Sequence, residues 1–208
     1  MVNRPIPQAG TRSDKQRAVL EGALVIFARD GYSRATIDSI ANQAQVSTRT
    51  IYNHFRDKAD LFQAVIQMSA TRVADAQIMI IESYFRKVTD LEEDLVDFAE
   101  AWLTPMPDYA DHSALVRQIN AEVGHIPPAA IETWQQTGPR RVLGALAEKL
   151  AMLAERGLLK LADPQLAAHH FAVLITVPNP SLHGDTGRPG GTSAVRSGVR
   201  VFLNGYGP

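Results

Sequence analysis

Along the first sixty residues, apolar positions recur with a helical period and are interrupted before any helix grows long. Leu20, Ala23, Leu24, Phe27 and Ala28 fall at i, i+3, i+4, i+7 and i+8, the stripe of an amphipathic helix that starts at Ser13 or Asp14. Gly31 follows the last periodic residue and predicts the left-handed cap that stops it. A second, short helix begins at Thr36 and carries Ile37, Ile40, Ala41 and Ala44 on one face. The turn Gln45-Val46 then leads to Ser47, an N-cap for a third helix over 47–55, and Asp57 caps a fourth that runs from about Lys58 into the eighties.

Beyond that point the pattern stays helical, with breakers at Pro105 and Pro107, Pro127-Pro128, Gly138-Pro139, Gly157 and Pro164. Segments 90–103, 109–123, 139–156 and 164–177 read as helices. Residues 178–192 gather three prolines and four glycines, which predicts a loop before a last amphipathic piece over 194–203. No stretch alternates like a strand over a useful length. The fold class expected is all-α: an N-terminal three-helix helix-turn-helix domain (13–58) after a disordered arm (1–12), then a larger helical ligand-binding and dimerisation domain (59–208).

Composition narrows the function. The 208 residues are 45% hydrophobic and contain no cysteine, which excludes disulfides, thiolate metal sites and cysteine nucleophiles. The N-terminus lacks the apolar core of a signal peptide and no apolar stretch is long enough to span a bilayer, so a cytoplasmic, membrane-free protein is expected. Residues 1–60 hold nine Lys and Arg against six Asp and Glu, while the rest is net acidic. A basic small module on an acidic body suits a nucleic-acid reader joined to something else. His169 and His170 are adjacent, so on a helix they diverge by about 100° and do not share one ion. There is no zinc-protease motif, nucleophile elbow or phosphate-cradling loop, so no catalytic residue, metal or cofactor is expected.

The third helix carries the sharpest signal. At about 100° per residue, Ile51 and Phe55 share the face that meets the first helix, and Arg49 and Asn53 point directly away. Thr50 shares that outward surface, Tyr52 and His54 fall on its shoulders, and Thr48 and the cap Ser47 sit at its N-terminal end. These are donors and acceptors suited to base edges and phosphates, with no carboxylate to repel them. Arg49 is placed for a bidentate contact to guanine and Asn53 for adenine or a phosphate. Tyr52 and His54 are placed for the walls of the groove. Lys58 adds a charge beside the first N–H groups of the next helix. A helical interaction protein without DNA, or an enzyme with a convergent site, are the alternative readings; the first gives no reason for an acid-free outward face, and the second lacks a recognisable triad.

The run from Phe27 through Gly31, Thr36 and Ala41, then from Ala44 to Phe55, then Lys58 and Leu61-Phe62, resembles the N-terminal domain of the TetR family of transcriptional regulators. In that family the positions matching Thr36, Thr48, Arg49, Thr50, Tyr52, Asn53, His54 and Lys58 lie at or near the operator. The family has glycine where this chain has Gln45; a positive φ there would cost a side chain about 1 kcal/mol. The body is similar to the AefR-like subgroup, through 115–122, 137–143, 156–159, 163–168 and the ending 201–206. The resemblance implies a homodimer on a palindromic operator, with the interface made by 139–156, 164–177 and 194–203. The 178–192 loop stands where family members continue helices. It also implies a repressor released when a small-molecule effector enters the body and moves the fourth helix. Phe98, Trp102, Met106 and Tyr109 are candidates to line that site, together with Trp134 and Phe171. Arg117, His125 and His169 are candidates for its polar end.

Overall fold

The computed structural model describes residues 12–176 and 192–207. The expected arm lies outside them up to residue 11, as does the 178–192 loop up to residue 191. All secondary structure among the described residues is helical, and no described helix is long and apolar enough to cross a membrane. In chain order the helices are α1 (Arg12–Arg34), α2 (Ile37–Gln43), α3 (Thr48–Tyr52), α4 (Lys58–Tyr84), α5 (Leu91–Leu103), α6 (Ala110–Glu122), α7 (Pro128–Thr137), α8 (Pro139–Glu155), α9 (Pro164–Thr176) and α10 (Thr192–Tyr206). A 3-10 turn, Pro107–Tyr109, precedes α6.

The starts of these helices are written in local polar chemistry. The Asp57 carboxylate accepts the Asp60 N–H at 2.8 Å to open α4, and Asp90 accepts the Glu93 N–H at 3.1 Å to open α5. Asp163 takes the N–H groups of Gln165 and Leu166 at the start of α9. Two helices open on proline instead: Pro128 begins α7 and Pro139 begins α8. Proline costs nothing in the first turn, where its missing N–H would have had no partner. The prolines at 127 and 128 thus start a helix that the sequence pattern treats only as a break. The last helix also runs on past residue 203, to Tyr206.

Packing divides the chain into two units: residues 1–71 with 107–137, and residues 72–106 with 138–208. The sequence pattern divides the helical part of the chain after residue 58; by packing, α6 and α7 group with the helix-turn-helix in the first unit. There α1 packs along α6 and against α2 and α3. Phe27, Phe62, Ile40, Ile51, Leu115 and Ile119 are among the buried side chains of this core. The Phe27 and Phe62 rings meet edge to face at 4.8 Å. Gly22 on α1 lets α2 approach: a Cβ there would fall 2.8 Å from the Ala44 Cβ and 2.9 Å from its backbone N. The Ser69 hydroxyl on α4 and His112 Nδ1 on α6 share a hydrogen bond of 2.8 Å.

In the second unit α9 packs against α8 and α10, and α10 packs against α5. Its core centres on Phe98, Leu146, Leu150, Phe171 and Phe202. Ion pairs line the edges: Lys149 meets Glu82 at 2.8 Å, Arg141 meets Asp75 at 2.8 Å, and Arg200 meets Glu92 at 2.7 Å.

Two outcomes test this account. Gly22→Ala drives a methyl into Ala44, where backbone cannot yield, and is expected to cost about 1–3 kcal/mol in chemical denaturation. Burial holds the His112 imidazole below its ordinary value of 6.5. The unfolded chain therefore takes up this proton first as pH falls, so the stability carried by the neutral ring is complete above about pH 6.5 and is lost on acidification through the lowered folded-state value. Thermal midpoints measured from pH 8 to pH 5 should fall less steeply for His112→Gln than for the wild type; parallel curves would refute the assignment.

Candidate nucleic-acid interface

The α2–turn–α3 segment is held by a reciprocal cap at its start, backbone bonds through its turn and a side-chain cap on α3. The Thr36 hydroxyl accepts the Ser39 N–H at 3.1 Å, and the Ser39 hydroxyl accepts the Thr36 N–H at 3.2 Å. At the far end of α2, Val46 N–H returns to the Ala41 carbonyl at 3.0 Å and Gln45 N–H to Asn42 at 3.2 Å. This pair of bonds requires a left-handed residue at 45, and Gln45 adopts φ 54. Ser47 then caps α3 by accepting the Thr50 N–H at 3.1 Å.

The α-helix itself is shorter than expected, Thr48–Tyr52 rather than 47–55. Ser47 and Asn53 are its caps, and tight backbone bonds from the His54 and Phe55 N–H groups to the Ile51 carbonyl, both 2.9 Å, carry the coil to Phe55. Ile51 and Phe55 are buried in the core of the first unit. Ser47, Arg49, Tyr52 and Asn53 are exposed, with 57% of Tyr52 accessible, and Thr48, Thr50 and His54 are half-buried. Thr36, at the start of α2, is exposed as well.

Lys58, expected to add a charge beside the first N–H groups of α4, is bonded within the chain. Its ammonium donates to the carbonyls of Tyr32 (2.9 Å), Ser33 (3.3 Å) and Ala35 (3.2 Å), and stands 4.7 Å from the Tyr32 ring centroid. All three ammonium protons are thus directed at residues 32–35, the end of α1 beyond its break at Gly31 and the link to α2. Burial raises the Tyr32 phenol above its ordinary pKa, with the Asp57 charge adding to it. The Asp60 carboxyl is held below the usual range by the Arg56 backbone N–H and then by its guanidinium.

Comparison with known proteins agrees with this geometry. Residues 19–65 match the bacterial regulatory proteins of the tetR family, and residues 93–208 match the C-terminal domain of AefR-like transcriptional repressors. The chain belongs to the TetR family. A similar curated protein is the uncharacterized HTH-type transcriptional regulator YhgD of Bacillus subtilis, 26% identical over 74% of this chain and 77% of its own length. AcrR of Shigella flexneri is 33% identical over 32% of this chain and 34% of its own. Among solved structures, a protein of Mesorhizobium loti assigned to the TetR family aligns with a TM-score of 0.81 at 26% identity, covering 96% of this chain and all of that one. The flavonoid-responsive regulator FrrA aligns at 0.68 and 26%, covering 94% and 98%. These relatives are transcriptional regulators, not enzymes, so the chain is a helix-turn-helix regulator of a family made up mostly of repressors.

The body residues singled out from this TetR-family sequence are divided between the two units. Phe98 and Phe171 are fully buried and stack at 5.8 Å, and half-buried Trp102 stacks on Phe98 at 5.2 Å. Half-buried Met106 belongs to the same unit. Tyr109, Arg117, His125 and Trp134 belong to the first unit, where Trp134 packs on the core and Arg117 and His125 are exposed. His169, in the second unit, lines a groove of about 250 Å³ between α9 and α10 with His170, Val173, Val201 and Tyr206. His170 Nδ1 and the Tyr206 hydroxyl share a hydrogen bond of 2.6 Å there. Sequence reasoning gave no site role to His170, Tyr206, Ser33 or Glu122. Their partners lie dozens of positions away, so no local pattern announces them.

Gln45 holds its left-handed φ of 54 with a side chain that glycine would not carry. Gln45→Gly should remove most of that strain, less the added freedom of the unfolded chain, and raise stability by about 0.5–1 kcal/mol. Urea denaturation of the two proteins measures the difference; an unchanged or lower midpoint contradicts a strained turn.

Proposed function

We propose that this regulator binds a palindromic operator as a homodimer and represses until a small-molecule effector releases it. One observation carries the DNA reading: a short, doubly capped helix and the coil that continues it to Phe55 hold Ile51 and Phe55 in the core and expose Arg49, Tyr52 and Asn53, with no carboxylate between residues 47 and 55. On this reading Arg49 and Asn53 meet base edges, and Thr36, Thr48, Thr50, Tyr52 and His54 meet phosphates, as do Ser47 and the backbone at the start of α3. Lys58 serves from behind, by fixing the end of α1 and its link to α2.

The groove face of α9 and α10 supports the dimer. Val173 and Val201 are each more than half exposed there, beside the apolar groove. Apolar side chains left on two adjacent helices suit an isologous partner, a second copy of this chain. For release, the stacked Phe98, Trp102 and Phe171 suit an effector with an aromatic or otherwise apolar body. FrrA is flavonoid-responsive, and two more distant neighbours of the same fold were solved with choline and with triclosan. Residues of α4 belong to both units, so this helix is the natural carrier of a change from one to the other.

The test is titration of duplexes selected by the wild type from a random pool. Arg49→Ala should lose about 1–3 kcal/mol on the selected duplex and relax its sequence preference. Tyr52→Phe should weaken selected and unselected DNA alike. Undiminished binding by the Arg49/Tyr52 double alanine variant would overturn the reading.

A further inference from the structure

We propose that Glu122 is a positioning residue for operator reading: its carboxylate, at the C-terminal end of α6, holds the last turn of α1, beyond the break at Gly31, from which α2 and α3 are suspended. The inference rests on the DNA reading above. Glu122 Oε2 accepts the Ser33 backbone N–H at 2.9 Å and the Ser33 hydroxyl at 3.2 Å, across 89 positions of sequence. The chain makes room for it. Gly31 breaks α1 with φ 78 and ψ 175, and a Cβ at this position would collide with the Glu122 carboxylate and lie 2.9 Å from its carboxyl carbon.

The same turn is held from a second direction by Lys58, whose ammonium takes the carbonyls of Tyr32, Ser33 and Ala35. A carboxylate therefore fixes a donor of the turn and an ammonium fixes its acceptors, so that little freedom remains at residues 31–35. Thr36 follows at once and starts α2, which is seven residues long, and α3 is five. Helices this short, joined by a bonded turn, pass on any displacement at their root to Arg49. Glu122 also lies within the stretch that matches the AefR-like C-terminal domain, although α6 packs along α1. It is thus a point at which the C-terminal sequence grips the reading domain.

The experiment compares variants of the full-length protein on the duplex selected by the wild type and on a scrambled duplex of equal length, by fluorescence anisotropy. Glu122→Ala should lose about tenfold on the selected duplex and stay within about twofold on the scrambled one, with a melting curve that shows it folded at the assay temperature. Glu122→Gln keeps a carbonyl for the Ser33 N–H and should recover to within about threefold of the wild type. If the alanine variant does not fold, Glu122→Asp decides, because the shortened side chain withdraws from Ser33 and should show the same selective loss. Equal binding of the selected duplex by the wild type and the alanine or aspartate variant overturns the inference, as does parallel loss on both duplexes or failure of the glutamine rescue. If the wild type selects no duplex at all, the DNA reading fails and takes this inference with it.

Discussion

A helix of five residues has too few internal hydrogen bonds to persist by itself, so α3 exists only because Ile51 and Phe55 are buried. Full burial of two such side chains contributes about 1.5–3 kcal/mol each, comparable with the cost of ordering a few residues of backbone. The rest of the reading domain is arranged around that constraint. Ser47 relieves the first N–H groups, the turn at Gln45 aims the chain, and Gly22 lets α2 come close enough for α3 to reach the core.

The same anchoring determines what the exposed face offers. Two apolar anchors at i and i+4 fix the rotation of the coil, and every other side chain from Thr48 to His54 is polar or amphipathic. The absence of acid on that face leaves Arg49 without a competing carboxylate on its own helix. Acidic side chains stand nearby instead as caps: Asp57 and Asp60 at the start of α4 are engaged with backbone N–H groups. Charge near the interface thus works in two ways, outward at Arg49 and inward at Lys58, which steadies the end of α1 and its link to α2 through three carbonyls.

Much of this was legible in the residues. Thr36, Ser47 and Asp57 are caps because Thr, Ser and Asp compete for backbone N–H groups wherever a helix must begin, and each opens a helix here. The pairing of Ile51 with Phe55 followed from helical period alone. The left-handed turn at Gln45 was only posed as a condition, through the resemblance to a family with glycine there, since glutamine itself gives no sign of it. The proline-led α7 was missed because proline ends one helix as readily as it begins another.

What the sequence determined by itself is therefore local: where helices begin, which face of α3 is apolar, and which family the chain resembles. Tertiary structure decided what each charged side chain does and which elements keep company. Only packing sends the Lys58 ammonium inward, gathers α6 and α7 with the helix-turn-helix, and brings Glu122 to Ser33. The physical reason is one of range. Caps and helical periods act within four residues, so they leave a pattern in the chain, whereas a carboxylate and an amide 89 positions apart meet only after the helices between them have packed.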